Sequence, residues 1–444
     1  MRSLARRLVT VFVLAVVATL AAIVVNGSVS AFADRGPGHG EGNGRALVRE
    51  GKAVFRDDTF GDQAFWGDAL GLHKAIEGAN LGGVGPGVSP KTALAVGLKV
   101  DSERLPNDVA KAILAGKVDL DDPATTLALL KLNAVVGVKG FFDDSGQHLT
   151  SMGITCALCH STVDNSLAPG IGKRLDGWPN RDLNVGAIVS LAPNLTPITG
   201  LLGVDDATVK QVLAAWGPGK FDAELFLDGK GFRPDGATAA TLIPPAYGLA
   251  GVNLHTYTGW GSVPYWNAFV ANLEMHGVGN FTDPRLDDAT KFPVAAKAGF
   301  GHVTHADDQI TSKLPALHAY QLSLRAPKPD PSSFDAAAAE RGKAVFDGPG
   351  KCASCHMPPV FTDSGFNLHT PAEICIDSFQ ADRSPTGMYR TTPLAGVSMH
   401  GQGGYYHDGR FQTLGDVVSH YNSCLSLGLS GGQQSDLVEY LKSL

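Results

Sequence analysis

The chain has 444 residues, a net charge of −7 and only 18% charged side chains, a balance that leaves no electrostatic footprint for nucleic acid. Its 44% hydrophobic content is enough to bury real cores, and the length suits two or three domains. Glycine is abundant at 54 residues while aromatics reach only 8%, as expected of a loop-rich helical protein wrapped around something other than its own side chains.

The N-terminus reads as an export signal. Met1–Arg7 is basic through Arg2, Arg6 and Arg7, and Leu8–Val25 is an apolar run softened only by Thr10 and Thr19. Ala31-Phe32-Ala33 then offers a small-x-small cleavage site, so residues 1–33 are expected to be a signal peptide. The alternative is a retained anchor, since a run of this length just spans a bilayer. Only in that case does the protein contact a membrane; either way, the globular part is exported, in the periplasm or an equivalent compartment. Residues 34–45 (DRGPGHGEGNGR) are Gly-rich and polar, the composition of a flexible linker.

Beyond the linker, two echoes suggest an internal duplication. Glu50-Gly51-Lys52-Ala53-Val54-Phe55 recurs as Arg341-Gly342-Lys343-Ala344-Val345-Phe346. Leu317-x-x-Tyr320-x-x-Ser323-Leu324 recurs as Leu437-x-x-Tyr440-x-x-Ser443-Leu444. Both segments place apolar residues at helical spacing, so each half is expected to open and close with a helix. Residues 326–334 are a proline-rich linker, after which Ser333 or Asp335 is placed to cap an Ala-rich helix. The expected units are therefore a first domain at 46–325, enlarged by insertions, and a second at 335–444.

Haem is inferred from two motifs, Cys156-Ala157-Leu158-Cys159-His160 and Cys352-Ala353-Ser354-Cys355-His356. Two thiols separated by two residues on a turn reach both vinyl groups of a haem and form thioethers, and the adjacent imidazole ligates the iron. A zinc knuckle would need four converging thiolates and leave both histidines without a role, and a thioredoxin-like pair would leave them equally unexplained. Two covalent c-type haems follow, with His160 and His356 as iron ligands. Cys375 and Cys424 remain; in an oxidising compartment they most simply form a disulfide, constraining the unfolded chain by about 4 kcal/mol.

From Glu340 to Asn422 the chain resembles the C-terminal haem domain of the bacterial di-haem cytochrome c peroxidase and MauG-like family. The resemblance is carried by Arg341-Gly342-Lys343-Ala344-Val345-Phe346, the second haem motif, Phe361-Thr362-Asp363-x-x-Phe366 and Thr392-Pro393-Leu394. It continues through Tyr405-Tyr406-His407-Asp408-Gly409-Arg410-Phe411 and Thr413-Leu414 to His420-Tyr421-Asn422. The first half matches more weakly, through its haem motif, a Gly-rich turn and its closing helix.

The resemblance implies a methionine as second axial ligand of the C-terminal haem; Met399 is the expected residue, with Met388, His400 and His407 as competitors. It also implies a glutamate near the first haem as the acid–base group for peroxide, and Glu274, in Glu274-Met275-His276, is the residue to which this role carries over. The turn after the first motif, Gly170–Asn180, holds neither histidine nor methionine, so the first iron is expected to keep an open sixth site. His255, His276, His302 and His305 are the alternative distal ligands. Trp178 is the tryptophan nearest that motif and a candidate electron relay, although core packing is the commoner use of all five tryptophans. Arg174, Arg181 and Arg410 are candidates for pairing haem propionates. Calcium between the domains is a further possibility that the family implies.

The expected fold is mainly α, with two cytochrome-c-like haem domains and long loops over the porphyrins. The expected function is an oxidoreductase of the di-haem peroxidase type. Its first haem acts on peroxide, and its second passes electrons from an external donor such as a small cytochrome or cupredoxin. The alternatives are a non-enzymatic electron carrier with both irons six-coordinate, and an oxygenase or protein-modifying enzyme on the same scaffold.

Overall fold

Each half is closed by one helix pair. In a computed structural model describing residues 37–444, the helix Pro37–Asp57 packs along Leu314–Ser323, and Ala336–Asp347 packs along Gly431–Ser443. The repeated glycine explains why both crossings are so close. A Cβ on Gly51 would stand 1.8 Å from the Ala316 carbonyl oxygen, and one on Gly342 would stand 1.9 Å from that of Asp436. Only a residue without a side chain lets backbones approach this far. The echoed tyrosines complete each crossing: Tyr320 meets Phe55 edge-on at 5.5 Å, and Tyr440 meets Phe346 at 5.2 Å. Phe55 and Phe346 are both wholly buried. The duplication read in the sequence is therefore a duplicated packing device.

The molecule is helix-rich, 43% helical with 10% strand. The signal-peptide reading at 1–33 lies outside the described residues. Among those described, no helix is long and apolar enough to cross a membrane. The first helix begins at Pro37, inside the stretch expected to be a flexible linker. The helix carries on backward from the segment whose Val48, Val54 and Phe55 pack into a core, so tertiary burial further along supports turns that their own composition would not. Residues 326–334 form a proline-rich passage with a single turn at Pro331–Ser333, followed by a helix capped by Asp335, whose carboxylate accepts from the Ala338 amide. The final helix starts with a capping box between Ser430 and Gln433. Cys375 and Cys424 are joined as a disulfide, with Cα atoms 5.9 Å apart.

Short strands place the first cysteine motif. Val138–Phe142 pairs antiparallel with Leu149–Ile154, which delivers Thr155 and Cys156 to the core, and Ser161–Val163 leaves the motif to pair with Arg174–Asp176. Asp176 then ties this frame to the helix crossing. It accepts from Arg56 Nε at 2.6 Å and Ser161 Oγ at 2.8 Å, and also from the Tyr320 hydroxyl. Asp62, completely buried, accepts from the Ile154 amide at 3.2 Å and fixes the strand just before the motif. The segment after Leu201 carries an aromatic core of Trp260, Trp266, Phe269, Phe281 and Phe292. Trp260 and Trp266 thus serve as packing, the use that the sequence reading regarded as the commoner.

Two measurements test this construction. Gly342→Ala should lower stability by about 1–3 kcal/mol, because the new methyl meets backbone that cannot yield without parting the helices. Gly432→Ala, in the partner helix with open space around it, should instead raise stability by about 0.5–1 kcal/mol; thermal melts of the two variants should move in opposite directions. The second test uses pH. Burial pushes the Asp62 carboxyl up to about 9 despite the Ile154 amide bond, whereas in the unfolded chain it ionises near about 4. Its contribution is therefore fully present below pH ~4 and is lost progressively as pH rises toward 9. In Asp62→Asn the decline of melting temperature between about pH 5 and 8 should be shallower than in the wild type, and an unchanged slope would refute the assignment.

Candidate functional site

The first motif forms a short helical turn, Ala157–His160, held from outside by the following loop. The Gly177 amide donates to the His160 carbonyl at 2.8 Å, the Asn180 amide to the Cys159 carbonyl at 2.8 Å, and the Asn180 side chain to Gly97 at 3.0 Å. Cys156 and Cys159 carry free thiols, and both line a largely apolar cavity of about 310 Å³ together with His160. Burial pushes the His160 imidazole down to about 4, with a smaller upward pull from the Pro244 carbonyl, so it is neutral, the form that ligates a metal.

Glu274 lines the same cavity. It ends a π-helical segment, Val270–Glu274, a local widening of the helix of the kind that often marks functional positions. It is buried at 8% exposure and its Oε2 has no hydrogen-bond partner. Burial, then the Glu224 and Asp222 carboxyls, hold it protonated well above the usual carboxylate range. Glu224 lines the cavity as well, as do Gln380 and Arg390 from the second half of the chain.

The four histidines considered as distal ligands separate clearly. His302 and His305 lie on the surface, the former paired with Asp287 at 2.8 Å. His255 lines the cavity, but its Nε2 is engaged by the Val252 carbonyl at 3.1 Å. His276 has a left-handed backbone (φ 59°) and stacks on Phe65 at 3.6 Å. Met152 and Met275 are the other soft donors on the cavity wall.

A haem fits this donor set, and the arginines supply the second half of the test. Arg174 faces Asp101 at 3.0 Å, and Arg410 is held by Asp408 at 2.7 Å and by Asp377, so both already have carboxylates. Arg181 and Arg390 differ. Arg181 donates to the Gln402 carbonyl at 3.4 Å and Arg390 to the Leu254 carbonyl at 3.0 Å, and in each a sequestered Nε has no partner. Arg390 lines the cavity, whereas Arg181 does not; an enclosed guanidinium without a carboxylate is costly, and a haem propionate is a carboxylate this cavity would offer Arg390. Arg390 was not among the sequence candidates; it lies beyond the haem motif of the other half, and only the fold turns it toward this cavity.

The second motif is a turn, Cys352–Ser354, with free thiols on Cys352 and Cys355. His356 Nδ1 bonds the Phe361 carbonyl at 3.1 Å, which makes Nδ1 the protonated nitrogen and leaves Nε2 as the ligating one. Cys352 and Ala353 pack against a core that includes Phe346, Val397 and Leu437, with Leu394 and Tyr405 at its edge. Met399 sits in the turn Val397–His400 and is 39% exposed. Tyr421, half-buried, lies within electrostatic reach of both Cys352 and Cys355 and beside Tyr406. It falls inside the His420-Tyr421-Asn422 stretch that carries the resemblance, yet nothing in the sequence marked it as facing the motif.

Two groups of metal-binding side chains occur among the described residues, Cys355–Asp363–His369 and Asp377–His407–Asp408. In the second, Arg233 reaches Asp377 at 2.9 Å and Arg410 reaches both aspartates. Neither offers the all-oxygen set that calcium takes.

No family model matches the chain. It is 26% identical over 243 residues to the cytochrome-c peroxidase IdrP1 of Denitromonas iodatirespirans, an alignment covering 40% of this chain and 64% of that protein. The chain therefore matches less than two thirds of that relative's length. Among solved structures it is similar to the di-haem peroxidase BthA of Burkholderia thailandensis, at 17% identity over 52% of this chain and 78% of that one, with a TM-score of 0.32. A MauG-like protein associated with microbial copper homeostasis gives 17% identity over 49% and 76%, with a TM-score of 0.28. The resemblance to the di-haem cytochrome c peroxidase and MauG-like family, first carried by the motifs, is thus supported by similarity in sequence to a cytochrome-c peroxidase.

Proposed function

We propose that the chain is an exported di-haem c-type oxidoreductase of the peroxidase type, with peroxide reduced in the first half and electrons entering through the second. The observation that carries this reading is one cavity lined by two free thiols, a neutral imidazole and a buried carboxyl that has no partner. Cys156 and Cys159 would form the thioethers and His160 would hold the iron, with Arg390 placed for a propionate. Bound there, a haem supplies the redox-active iron at which peroxide is reduced.

The remaining work falls to the chain. Glu274, which its burial holds protonated, would give that proton to the peroxide oxygen that leaves as water and would take one back before the next turnover. The apolar walls, Leu158, Val185, Val189 and Ile243 among them, exclude bulk water. Trp178 and Tyr247 stand between the halves, with ring centroids 5.9 Å apart. The Tyr247 hydroxyl reaches His400 Nδ1 at 2.8 Å. For the second haem, Cys352, Cys355 and His356 would hold the group. Met399, as the resemblance implies, would be its further ligand, and Tyr421, half-buried beside Tyr406, is a second candidate.

The second reading, an electron carrier, is favoured by His255 and the two methionines on the cavity wall, which offer the first iron a sixth ligand. Low-temperature EPR of the ferric protein separates the two. A high-spin signal beside a low-spin one, with the high-spin part changing on peroxide, is expected. Two low-spin signals indifferent to peroxide, in the half-reduced protein as well, would establish the carrier. Glu274→Gln should leave the ferric spectrum in place while slowing the peroxide-dependent change by about 10²–10⁴-fold.

A further inference from the structure

We propose that a second cavity beside the first is a binding pocket for a small, uncharged, apolar molecule of dioxygen size, and the route by which such a molecule reaches the first cavity. The pocket measures about 70 Å³ and shares part of its wall, Trp66, Val189, Phe221 and Glu274, with the cavity of the first motif. Neither thiol of that motif lines it, nor does His160, so it is not the place of a haem. At one end stand Val204, Thr208 and Gly229, all exposed, and at the other Glu274, buried. The pocket therefore runs inward from the surface to the wall of the first cavity. Such a site is independent of the peroxidase reading, since peroxide is polar and would have to give up its hydrogen bonds to enter.

The walls decide what fits. The helix Asp206–Trp216 supplies Val209, Val212 and Leu213, and the helix Thr196–Leu202 supplies Ile198 and Leu202. Apart from Thr208 at the rim and Glu274 at the inner end, the polar side-chain atoms on the wall are two indole N–H groups. Trp66 donates to the Met275 carbonyl at 2.9 Å, while Trp216, buried, has no partner for its Nε1. An ordered water needs roughly two to four polar partners, which this space does not gather, so its interior stays dry. An apolar cavity of roughly 150 Å³ takes benzene, and this smaller one suits xenon or a diatomic gas. The unpartnered indole N–H suits a weak acceptor and asks for no charge. His276, weighed in the sequence as a distal ligand, lines neither cavity; it stacks on Phe65 at 3.6 Å and meets Phe226 edge-on at 5.9 Å, and both phenylalanines line the pocket. A wall braced in this way keeps the pocket open, where a loose one would close over it and regain the missing contacts.

The test uses two probes on the holoprotein. In crystals pressurised with xenon, an anomalous peak should stand among Val209, Val212 and Leu225, and both Leu202→Trp and Val209→Phe should lose it. Leu202 is half-buried near the rim, so its replacement keeps the test open where the interior variant does not fold. Entry is read by flash photolysis of carbon monoxide from the reduced protein: both variants should slow recombination from solvent at the first haem while leaving the ferric absorption spectrum in place. An empty pocket under xenon, or ordered water within it, would overturn the proposal. A xenon peak whose loss leaves carbon monoxide entry unchanged would mark an adventitious void only, and would overturn it equally. A first iron that takes up no carbon monoxide would count against the peroxidase reading, and the xenon peak with its loss in both variants would then decide the pocket alone.

Discussion

Each half depends on one backbone-to-backbone contact. Where Gly51 lies on the Ala316 carbonyl and Gly342 on that of Asp436, two helices remote in sequence are pressed to a distance no side chain would permit. Once the two ends of a half are fixed together, the intervening chain must leave and return, and the cysteine motif is carried into the space beside the buried phenylalanine of the crossing. In the first half Asp176 makes this explicit, collecting Arg56, Ser161 and Tyr320 around one carboxylate. The helix pair and the motif are thus one mechanical unit, and displacement of either is felt at the other.

A second level of organisation is electrostatic and joins the halves. Arg383 from the second half is buried against Asp222 and Asp228 of the first, and Arg233 crosses in the opposite sense to Asp377. A buried pair of this kind contributes little net stability but is costly to break from one side, so it fixes relative position more than it strengthens the fold. Here that position matters chemically. The same passage of the second half that carries Arg383 brings Gln380 and Arg390 to the wall of the first cavity. The cavity is completed by residues from both halves, and Glu224 on its wall feels Arg383, a cation that its own half does not supply.

What the sequence made legible divides along these lines. Local features were legible: the Asp335 cap, the disulfide between the two remaining cysteines and the proline-rich passage at 326–334 each rest on residues close together or few in kind. The duplication was legible because the glycine and tyrosine of the crossing are irreplaceable in type. Glu274 was reachable only through the resemblance, with poorly matching neighbours, and the fold brings it to the cavity of the first motif. Arg390, Glu224 and Tyr421 were not legible. Their relevance comes from long-range placement, and a buried arginine lacking a carboxylate looks, in sequence, like any other arginine. The helix reaching back to Pro37 was missed for a related reason, since glycine-rich turns are supported by packing further along the same helix.

The buried acids near the two cysteine motifs differ in their surroundings. Near the second motif the carboxylates are engaged: Asp363 by Asn367 and His369 at 3.0 Å each, and Asp377 and Asp408 by arginines. Carboxylates held in this way cannot readily change their charge. Near the first motif Glu224 and Glu274 each keep Oε2 without a partner, as Asp363 keeps its Oδ1 near the second, but they face an apolar space where a proton gained or lost changes the energy steeply. Passing an electron needs no group of that kind and is better served by fixed charges, which require little reorganisation. Breaking an O–O bond does need one. The proposed division of labour between the halves rests on this contrast in surroundings: charge-paired carboxylates near the second motif suit conduction, and carboxyls facing an apolar space near the first suit proton-coupled chemistry.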